Sequence, residues 1–112
     1  MQFVKKDVTM AVIETTKIQT ALDLISKATG VPVAELTGSN RSVPIVRTRD
    51  AAIWALRTTG HFSSIDLGCI FGGRDHSTIL SALKRFERTG AQDSFVLEFV
   101  EELDRLFNAA NP

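Results

Sequence analysis

The sequence predicts an all-α fold, a compact bundle of about six helices that contains a helix-turn-helix. Three observations support this prediction. Apolar residues recur at helical spacing over most of the chain, and no segment clearly predicts a strand. Glycines close several of these periodic segments, as is common at helix C-termini. A short capped segment, a Gly-Gly pair and a longer amphipathic segment follow one another in the second half of the chain, which is the helix-turn-helix pattern.

The first part of the chain alternates predicted helices with short breaks. Residues 1–15 mix β-branched and charged side chains and are compatible with a short strand, a helical turn or a frayed arm. A helix is predicted over residues 16–28, and Gly30 supplies its stop. Pro32 suits a first helical position, so residues 33–36 are predicted to form about one helical turn.

A basic loop and a further helix are predicted next. Residues 39–48 lack a helical period, contain Pro44 and carry Arg41 and Arg47, so they predict a basic loop. Residues 49–59 predict a helix that the following glycine closes. The inward side chains of this helix are predicted to be Ala52, Ile53, Trp54 and Leu56.

A helix-turn-helix pattern begins with a capping box. Ser63 and Asp66 have the spacing of that motif, with Ser63 as the cap, and predict a short helix over residues 64–70. After the Gly72-Gly73 turn, a longer helix is predicted over residues 75–88. A short helix, a glycine-containing turn and a second helix in this order predict a helix-turn-helix.

The predicted C-terminal helix is acidic, whereas the middle of the chain is basic. Gly90 ends the preceding helix, and the apolar spacing predicts a last helix over residues 93–108. The whole chain is neutral, with 13 Lys or Arg and 13 Asp or Glu. Residues 41–90 hold eight Lys or Arg against four Asp or Glu, and residues 91–112 hold five Asp or Glu against one Arg. The electric field of a local excess of positive charge attracts phosphate within about 10 Å, even when the whole chain is neutral. The basic middle of the chain is therefore compatible with a nucleic-acid partner. The apolar positions of the last helix are Phe95, Val96, Phe99, Leu103, Leu106 and Phe107.

The helix predicted over residues 75–88 has two different faces at about 100° per residue. The apolar stripe consists of Ile79, Ala82, Leu83 and Phe86. The polar face consists of Ser77, Ser81, Lys84 and Arg88, with Thr78 and Arg85 at its border. Hydroxyls and imidazole suit base edges and cations suit phosphate, so this face predicts DNA reading in a major groove. The alternative interpretation is an ordinary solvated face.

Composition excludes several classes of protein. A chain of 112 residues with 44% hydrophobic and 23% charged side chains is expected to fold as one soluble domain. No apolar run approaches the roughly 20 residues that span a bilayer, and no signal peptide is evident, so no membrane partner is expected. The expected location is the cytoplasm, in association with the nucleoid. The lone Cys69 cannot form an internal disulfide and is predicted to be a small buried hydrophobe.

No enzyme is predicted. Side chains of adjacent residues on a helix point about 100° apart, so Asp75, His76 and Ser77 cannot align as a catalytic triad. No second ligand at helical spacing accompanies His76, and the chain holds no phosphate-cradling nucleotide loop. The sequence therefore predicts no catalytic residue, no metal site and no cofactor.

One run of residues points to a known family. The chain contains the sequence Phe71-Gly72-Gly73-Arg74-Asp75-His76-Ser77-Thr78-Ile79-Leu80, preceded by Arg41-Ser42 and by residues 46–49 and 52–57. In this order and spacing, these runs resemble the C-terminal DNA-binding domain (domain IV) of the bacterial chromosomal replication initiator DnaA, a TrpR-like helix-turn-helix. The resemblance covers residues 18–88, about two thirds of the chain. It divides the chain, as one domain, into an N-terminal extension (1–15), a domain IV-like core (16–90) and an acidic helix (91–112).

The resemblance implies which residues meet the bases of double-stranded DNA. Asp75, His76, Ser77 and Thr78 are expected to face bases in the major groove of a site like the DnaA box. Arg41 is expected to enter the adjacent minor groove, where arginine reads groove width and A·T-rich character.

The resemblance and the polar face together imply contacts with the DNA backbone. Amides at the start of the Ser63-capped helix are expected to assist these contacts. Arg74 has two open roles, a contact with DNA or a brace of the turn through a carboxylate. The expected backbone contacts are Arg47, Arg49, Arg57, Ser63, Ser64, Ser81 and Lys84.

Several positions depart from the family pattern. Ser77 stands where the family usually has a threonine, and Asp50 stands where it generally has a glutamine, close to the expected phosphate path. Val43-Pro44 interrupts a loop that is often richer in Arg and Ser. These departures predict weaker binding or an altered site preference. The ATPase domain of the initiator needs several hundred residues upstream, so the chain is expected to act as a stand-alone domain that does not hydrolyse ATP.

The predicted function is sequence-specific binding of double-stranded DNA, in control of replication initiation or in transcription regulation. The expected further partner is the replication initiator or another protein, through the acidic C-terminal helix. A monomer is expected, because an asymmetric site needs no two-fold partner. The alternative is a helical protein-interaction module that uses the acidic helix and in which DNA binding is lost or weak.

Overall fold

A computed structural model describes residues 5–89 and 94–108, with side chains for residues 15–88, 96 and 99–108. All regular structure within these residues is helical, which confirms the prediction of an all-α fold of about six helices. The helices are α1 (Lys5–Thr29), α2 (Val33–Leu36), α3 (Val43–Gly60), α4 (Ser64–Ile70), α5 (His76–Thr89) and α6 (Ser94–Asn108).

The first helix is longer than its sequence pattern predicts. α1 begins at Lys5, so much of the predicted N-terminal extension is helical; residues 1–4 lie outside the described residues. β-Branched residues lower helix propensity by only about 0.5 kcal/mol each, which a long helix tolerates. The end of α1 agrees with the prediction. Gly30 has a φ of 76° and donates its backbone N–H to the Ser26 carbonyl at 2.8 Å.

The single turn predicted after the first helix is confirmed as α2. Pro32 occupies the N-cap position, where its fixed φ and missing N–H cost the helix no hydrogen bond. Leu36, at the other end of the turn, is fully buried. Its burial fixes α2 against the core and sets the path of the loop that follows.

The third helix begins six residues earlier than predicted, at Val43. The predicted basic loop at residues 39–48 is therefore shorter, and Arg47 lies on the helix rather than in the loop. Pro44 falls in the first turn of α3, where its missing N–H is one of those that have no intrahelical partner. The proline starts this helix instead of interrupting it.

The last three helices begin and end close to their predicted limits. α4 agrees with its prediction in both limits, and α5 begins one residue later than predicted, at His76. Gly90, the predicted stop of α5, lies outside the described residues, as do residue 93 and the side chain of Phe95. The division into an extension, a domain IV-like core and an acidic helix stays a prediction.

One apolar core forms around α3, and the other described helices contribute side chains to it. Val96, Phe99 and Leu103 of α6 are buried in it, so the described apolar side chains of the C-terminal helix complete the core of the domain. The rings of Trp54 on α3 and Phe86 on α5 pack with centroids 4.9 Å apart. The largest fully buried side chains are Phe71, Phe99, Ile25, Leu36, Ile53, Leu56, Leu67, Ile79, Leu103 and Val96.

Cys69 is exposed, so its predicted burial is wrong. α4 turns Leu67 and Gly68 toward the core, and Cys69 is rotated away from both. An apolar neighbourhood in the sequence did not reveal this, because a helix of seven residues buries one face. Among the described helices, none combines the length and the apolar character that a bilayer-spanning segment needs.

Candidate nucleic-acid interface

The helix-turn-helix begins with the predicted cap of α4. The Ser63 Oγ accepts a hydrogen bond from the Asp66 backbone N–H at 3.0 Å, and the Ser63 carbonyl accepts one from Leu67 at 2.9 Å. These bonds satisfy amides that a helix start leaves without an intrahelical partner. The serine that the sequence predicts as a cap therefore caps α4.

The turn between α4 and α5 depends on close backbone approach and left-handed residues. Gly72 and Gly73 have φ values of 87° and 77°, which side chains disfavour. Phe71 is fully buried under the turn. The Arg74 backbone N–H bonds to the Gly68 carbonyl at 2.8 Å, and a Cβ on Gly68 would lie 2.1 Å from the Arg74 carbonyl oxygen. α4 and the start of α5 are thereby held in one arrangement.

Asp75 caps α5. Its Oδ2 accepts hydrogen bonds from the Ser77 hydroxyl and from the Ser77 backbone N–H, the latter at 3.0 Å. These bonds, the hydroxyl first, lower the pKa of the Asp75 carboxyl. The Asp75 carbonyl accepts from Thr78 and Ile79 at 3.0 and 3.2 Å. The cap thus fixes the backbone and the Ser77 hydroxyl at the tip of α5, and the nearby His76 and Asp75 side chains remain 59% and 65% exposed.

The two faces of α5 agree with the sequence. Ile79, Ala82, Leu83 and Phe86 are buried, whereas the polar tip and the cations further along are exposed. Leu80 adds an apolar side chain to the outer surface and is 42% exposed. The exposed polar side chains of α5 among residues 76–88 are His76, Ser77, Thr78, Ser81, Lys84, Arg85, Glu87 and Arg88.

A cleft of about 550 Å³ lies between the loop before α3, the first half of α3 and one side of α5. Arg41 of the loop and Thr78 of α5 both line it, so these two expected base-contacting residues lie on one side of the molecule. We call this cleft the arginine cleft. Its lining residues are Ser39, Arg41, Val46, Arg49, Asp50, Ile53, Arg74, Thr78, Ala82 and Arg85.

Arg49 has a different placement from the one that the sequence predicts. The residue is 6% exposed, and its guanidinium donates to the carbonyls of Leu36 and Glu35 at 2.8 Å and of Asn40 at 3.0 Å. Burial lowers the pKa of Arg49. A phosphate contact needs an outward guanidinium, whereas this one holds the end of α2 and the loop together. Its sequence position did not reveal this role, because the three carbonyls lie 9 to 14 residues away.

Arg74 braces the turn through carbonyls rather than through a carboxylate. Its Nη1 donates to the Phe71 carbonyl and its Nη2 donates to the Gly38 carbonyl. Because Gly38 precedes the loop that carries Arg41, Arg74 links this loop to the start of α5. Of the two open roles, the structure has the brace, without the acidic partner.

Asp50 and Arg85 form a pair that sequence reasoning missed. The Arg85 Nε donates to Asp50 Oδ2 at 2.9 Å, and its Nη2 donates to Asp50 Oδ1 at 3.0 Å. This two-point bond raises the pKa of Arg85. The spacing of 35 residues gives no local signal; the Asp at position 50, where the family generally has a glutamine, is the one clue in the sequence. Asp50, the acid expected from the sequence to lie close to a DNA phosphate, is therefore paired with Arg85.

The other expected backbone contacts lie in three places. Ser81 and Lys84 are exposed on α5. Arg57 is exposed near the end of α3 and donates to the Phe62 carbonyl at 3.1 Å, next to the start of α4. Ser63 and Ser64 lie at that start, and Arg47 lies on the first turns of α3. None of these three residues lines the arginine cleft.

The family model described as "Bacterial dnaA protein helix-turn-helix" matches residues 15–85. Proteins named chromosomal replication initiator protein DnaA are similar to most of this chain. The chain is 39% identical to that of Caulobacter vibrioides over 88 residues, which are 75% of this chain and 18% of the relative. It is 30% identical to that of Pelobacter propionicus over 99 residues, 88% of this chain and 20% of the relative. The chain belongs to the DnaA helix-turn-helix family.

The DnaA helix-turn-helix match begins in α1 and ends within α5. It therefore includes the arginine cleft, the Gly72-Gly73 turn and the exposed tip of α5. A third relative, the DnaA protein of Bdellovibrio bacteriovorus, is 31% identical over 91 residues, which are 81% of this chain and 19% of the relative. The chain spans about a fifth of the length of these three relatives.

Proposed function

We propose that this chain binds double-stranded DNA at a site like the DnaA box. In the proposed complex, the tip of α5 enters the major groove with Asp75, His76, Ser77 and Thr78 toward base edges. Arg41 enters the adjacent minor groove. The observation that supports the proposal is the arginine cleft, because Arg41 and Thr78 line it together. One sugar-phosphate strand separates the two grooves, and a cleft between the two reading elements gives that strand a path.

The proposed backbone contacts lie on α5 and at the junction of α3 and α4. Lys84 and Ser81 are exposed along α5, and Arg57 is exposed beside the capped start of α4. Helix N-termini attract phosphate through their amides and dipole. Arg49 leaves this set, since its guanidinium is engaged by three backbone carbonyls. Its proposed role is to hold the loop that presents Arg41.

The proposed process is control of replication initiation, by occupation of sites that a replication initiator also recognises. Membership in the DnaA helix-turn-helix family favours this process. Transcription regulation from such sites is the second proposed outcome of the same binding. The proposed partner is chromosomal DNA, which implies association with the nucleoid. The binding involves no catalytic step, and a monomer suffices for an asymmetric site.

A titration tests the proposal. The protein is added to a duplex that carries a DnaA box and to a duplex of equal length and composition with the box scrambled, at one fixed salt concentration. The expected result is an affinity about 10³-fold higher or more for the intact box, the lower end of the usual margin of specific over non-specific binding. Equal affinity for both duplexes would contradict sequence-specific binding.

The proposed contact with the initiator or another protein rests on a different surface. Glu101, Glu102 and Asp104 are exposed on α6, whereas its buried side chains belong to the core. A basic partner would therefore meet charge on α6 rather than an apolar face. Cross-linking of the protein to purified initiator, with and without substitution of these three acids by serine, tests this contact. An unchanged yield in the variant would exclude α6 as the contact.

A further inference from the structure

Asp50 and Arg85 lie in the arginine cleft, next to the proposed DNA-reading elements. The Asp50 side chain is 9% exposed, whereas the Arg85 side chain is 45% exposed. The acid is therefore the inner partner and the cation is the outer one. A phosphate that approached along the cleft would meet the guanidinium before it met the carboxylate.

The geometry of the pair orients Arg85. A guanidinium carries five N–H donors in a rigid plane, and the Asp50 carboxylate engages two of them, one on Nε and one on Nη2. A two-point contact along one edge fixes the direction of the whole plane, which a single hydrogen bond would not do. Asp50 lies on α3, in the buried centre of the domain, so the direction is set by a rigid helix.

The remaining charges of the cleft are positive. Arg49 and Arg74 donate to backbone carbonyls, which orient a guanidinium but do not cancel its charge. Arg41, which is exposed, also lines the cleft. With four arginines against Asp50 among the lining residues, the cleft retains a net positive charge after the Asp50–Arg85 pair is counted as neutral. This positive field attracts an anion such as a DNA phosphate.

We infer that Asp50 is a positioning residue that orients the Arg85 guanidinium toward a DNA phosphate in the arginine cleft. The inference rests on the proposed function and adds two residues to it. It also reverses the expectation from the sequence, in which an acid at position 50 weakens binding by repelling phosphate. Repulsion by Asp50 predicts that Asp50→Asn strengthens DNA binding, whereas positioning of Arg85 by Asp50 predicts that the same substitution weakens it.

The test is a salt-dependent titration of the box duplex with four proteins: the natural chain, Asp50→Asn, Arg85→Gln and the double variant. Asp50→Asn is expected to weaken binding about three- to tenfold although it raises the net charge by one, because the guanidinium loses its orienting partner. Arg85→Gln is expected to weaken binding to a similar extent and to lower the slope of log K against log salt by about 0.9. The double variant is expected to bind like Arg85→Gln alone, since Asp50 acts through Arg85.

Opposite outcomes overturn the inference. Tighter binding by Asp50→Asn would mean that Asp50 merely neutralises the cleft. An unchanged salt slope in Arg85→Gln would mean that the pair ties α3 to α5 without touching DNA. Failure of the natural chain to prefer the box duplex would instead remove the proposed function, which keeps the two failures distinct.

A second variant protects the test from a folding defect, because Asp50 is buried. Arg85→Lys keeps the positive charge at an exposed site but lacks the planar fork. It is expected to retain the salt slope and to lose about as much affinity as Asp50→Asn. Full affinity in Arg85→Lys would show that charge alone matters and would overturn the positioning role. Thermal unfolding of each variant confirms that the titrations are made on folded protein.

Discussion

The Arg74 guanidinium donates a hydrogen bond to the Gly38 carbonyl, 36 positions earlier in the sequence. The bond joins the segment between α4 and α5 to the segment that leads to Arg41. A second bond, to the Phe71 carbonyl, holds the same guanidinium over the turn. Both proposed reading elements are therefore attached to one side chain, which fixes their separation.

Arg74→Lys is expected to loosen the loop before α3. An ammonium keeps the charge but cannot span two carbonyls with a planar fork, so one bond of about 1.5–3 kcal/mol is lost. The expected result is faster amide hydrogen exchange in residues 38–42. Arg57→Lys, at the junction of α3 and α4, serves as the control and leaves exchange in that loop unchanged. Equal protection of the loop in Arg74→Lys and the natural chain would refute the brace.

Arg49→Ala is expected to destabilise the fold by about 2–4 kcal/mol, because it leaves the carbonyls of Glu35, Leu36 and Asn40 without their donor. Urea unfolding measures this loss. Arg88→Ala, which removes an exposed cation on α5, is expected to stay within about 0.5 kcal/mol. A loss of unfolding free energy in Arg49→Ala no larger than that of the control, together with a lower salt slope for DNA binding, would contradict the structural role. It would indicate that Arg49 contacts the DNA backbone instead.

Gly72→Ala and Gly73→Ala form a matched pair. Both residues have left-handed backbone angles, so either alanine costs about 1–2 kcal/mol in conformation. A Cβ at Gly72 would also lie 2.3 Å from the Thr37 carbonyl oxygen, whereas a Cβ at Gly73 meets nothing within 4 Å. Gly72→Ala is therefore expected to lower the free energy of unfolding by a further 1–3 kcal/mol, about the cost of overpacking. Equal losses would mean that Thr37 does not contact the turn closely.

His76→Ala is expected to lower affinity for the box duplex by about 1–3 kcal/mol and to leave binding to the scrambled duplex nearly unchanged. The reason is that an exposed imidazole at the tip of α5 is proposed to meet a base edge. Lys84→Ala is the contrasting variant. It is expected to weaken binding to both duplexes alike and to lower the salt slope by about one. An equal effect of His76→Ala on both duplexes would contradict base reading by this residue.

The Asp75 carboxyl provides a pH-dependent prediction. Hydrogen bonds from Ser77 lower its pKa below the ordinary value of 3.8. Ionised Asp75 therefore stabilises the folded state above that value, and this stabilisation is lost as pH falls through the lower, folded pKa. Ser77→Ala is expected to raise the pKa of Asp75, as measured by NMR titration of the carboxyl carbon. Ser81→Ala, further along α5, is expected to leave it unchanged; no rise in Ser77→Ala would contradict the hydrogen bond from the Ser77 hydroxyl to Asp75.

Local signals in the sequence were sufficient for much of the fold. The limits of α4 agree with the prediction because a serine cap acts within its own helix turn. The start of α3 did not agree, since the same Pro44 can break a helix or begin one, depending on where the first turn falls. Periodicity assigned the faces of α5 correctly, because an amphipathic helix on a core has one buried side.

The site was less accessible to sequence reasoning. The exposed tip of α5 followed from its helical spacing. The roles of Arg49, Arg74 and Arg85 did not, because each depends on a partner brought near by the tertiary fold. A cation in a sequence does not reveal whether a carbonyl, a carboxylate or solvent faces it.

The contact between Trp54 and Phe86 supplies a built-in optical reporter. The chain contains one tryptophan, so its ultraviolet emission reports on a single boundary, that between α3 and α5. Thermal unfolding followed by this emission reports, without any label, on the packing of α5, the helix proposed to enter DNA. Far-ultraviolet dichroism averages all the helices. A fluorescence transition at a lower temperature than the dichroism transition would reveal that α5 detaches before the remainder of the domain unfolds.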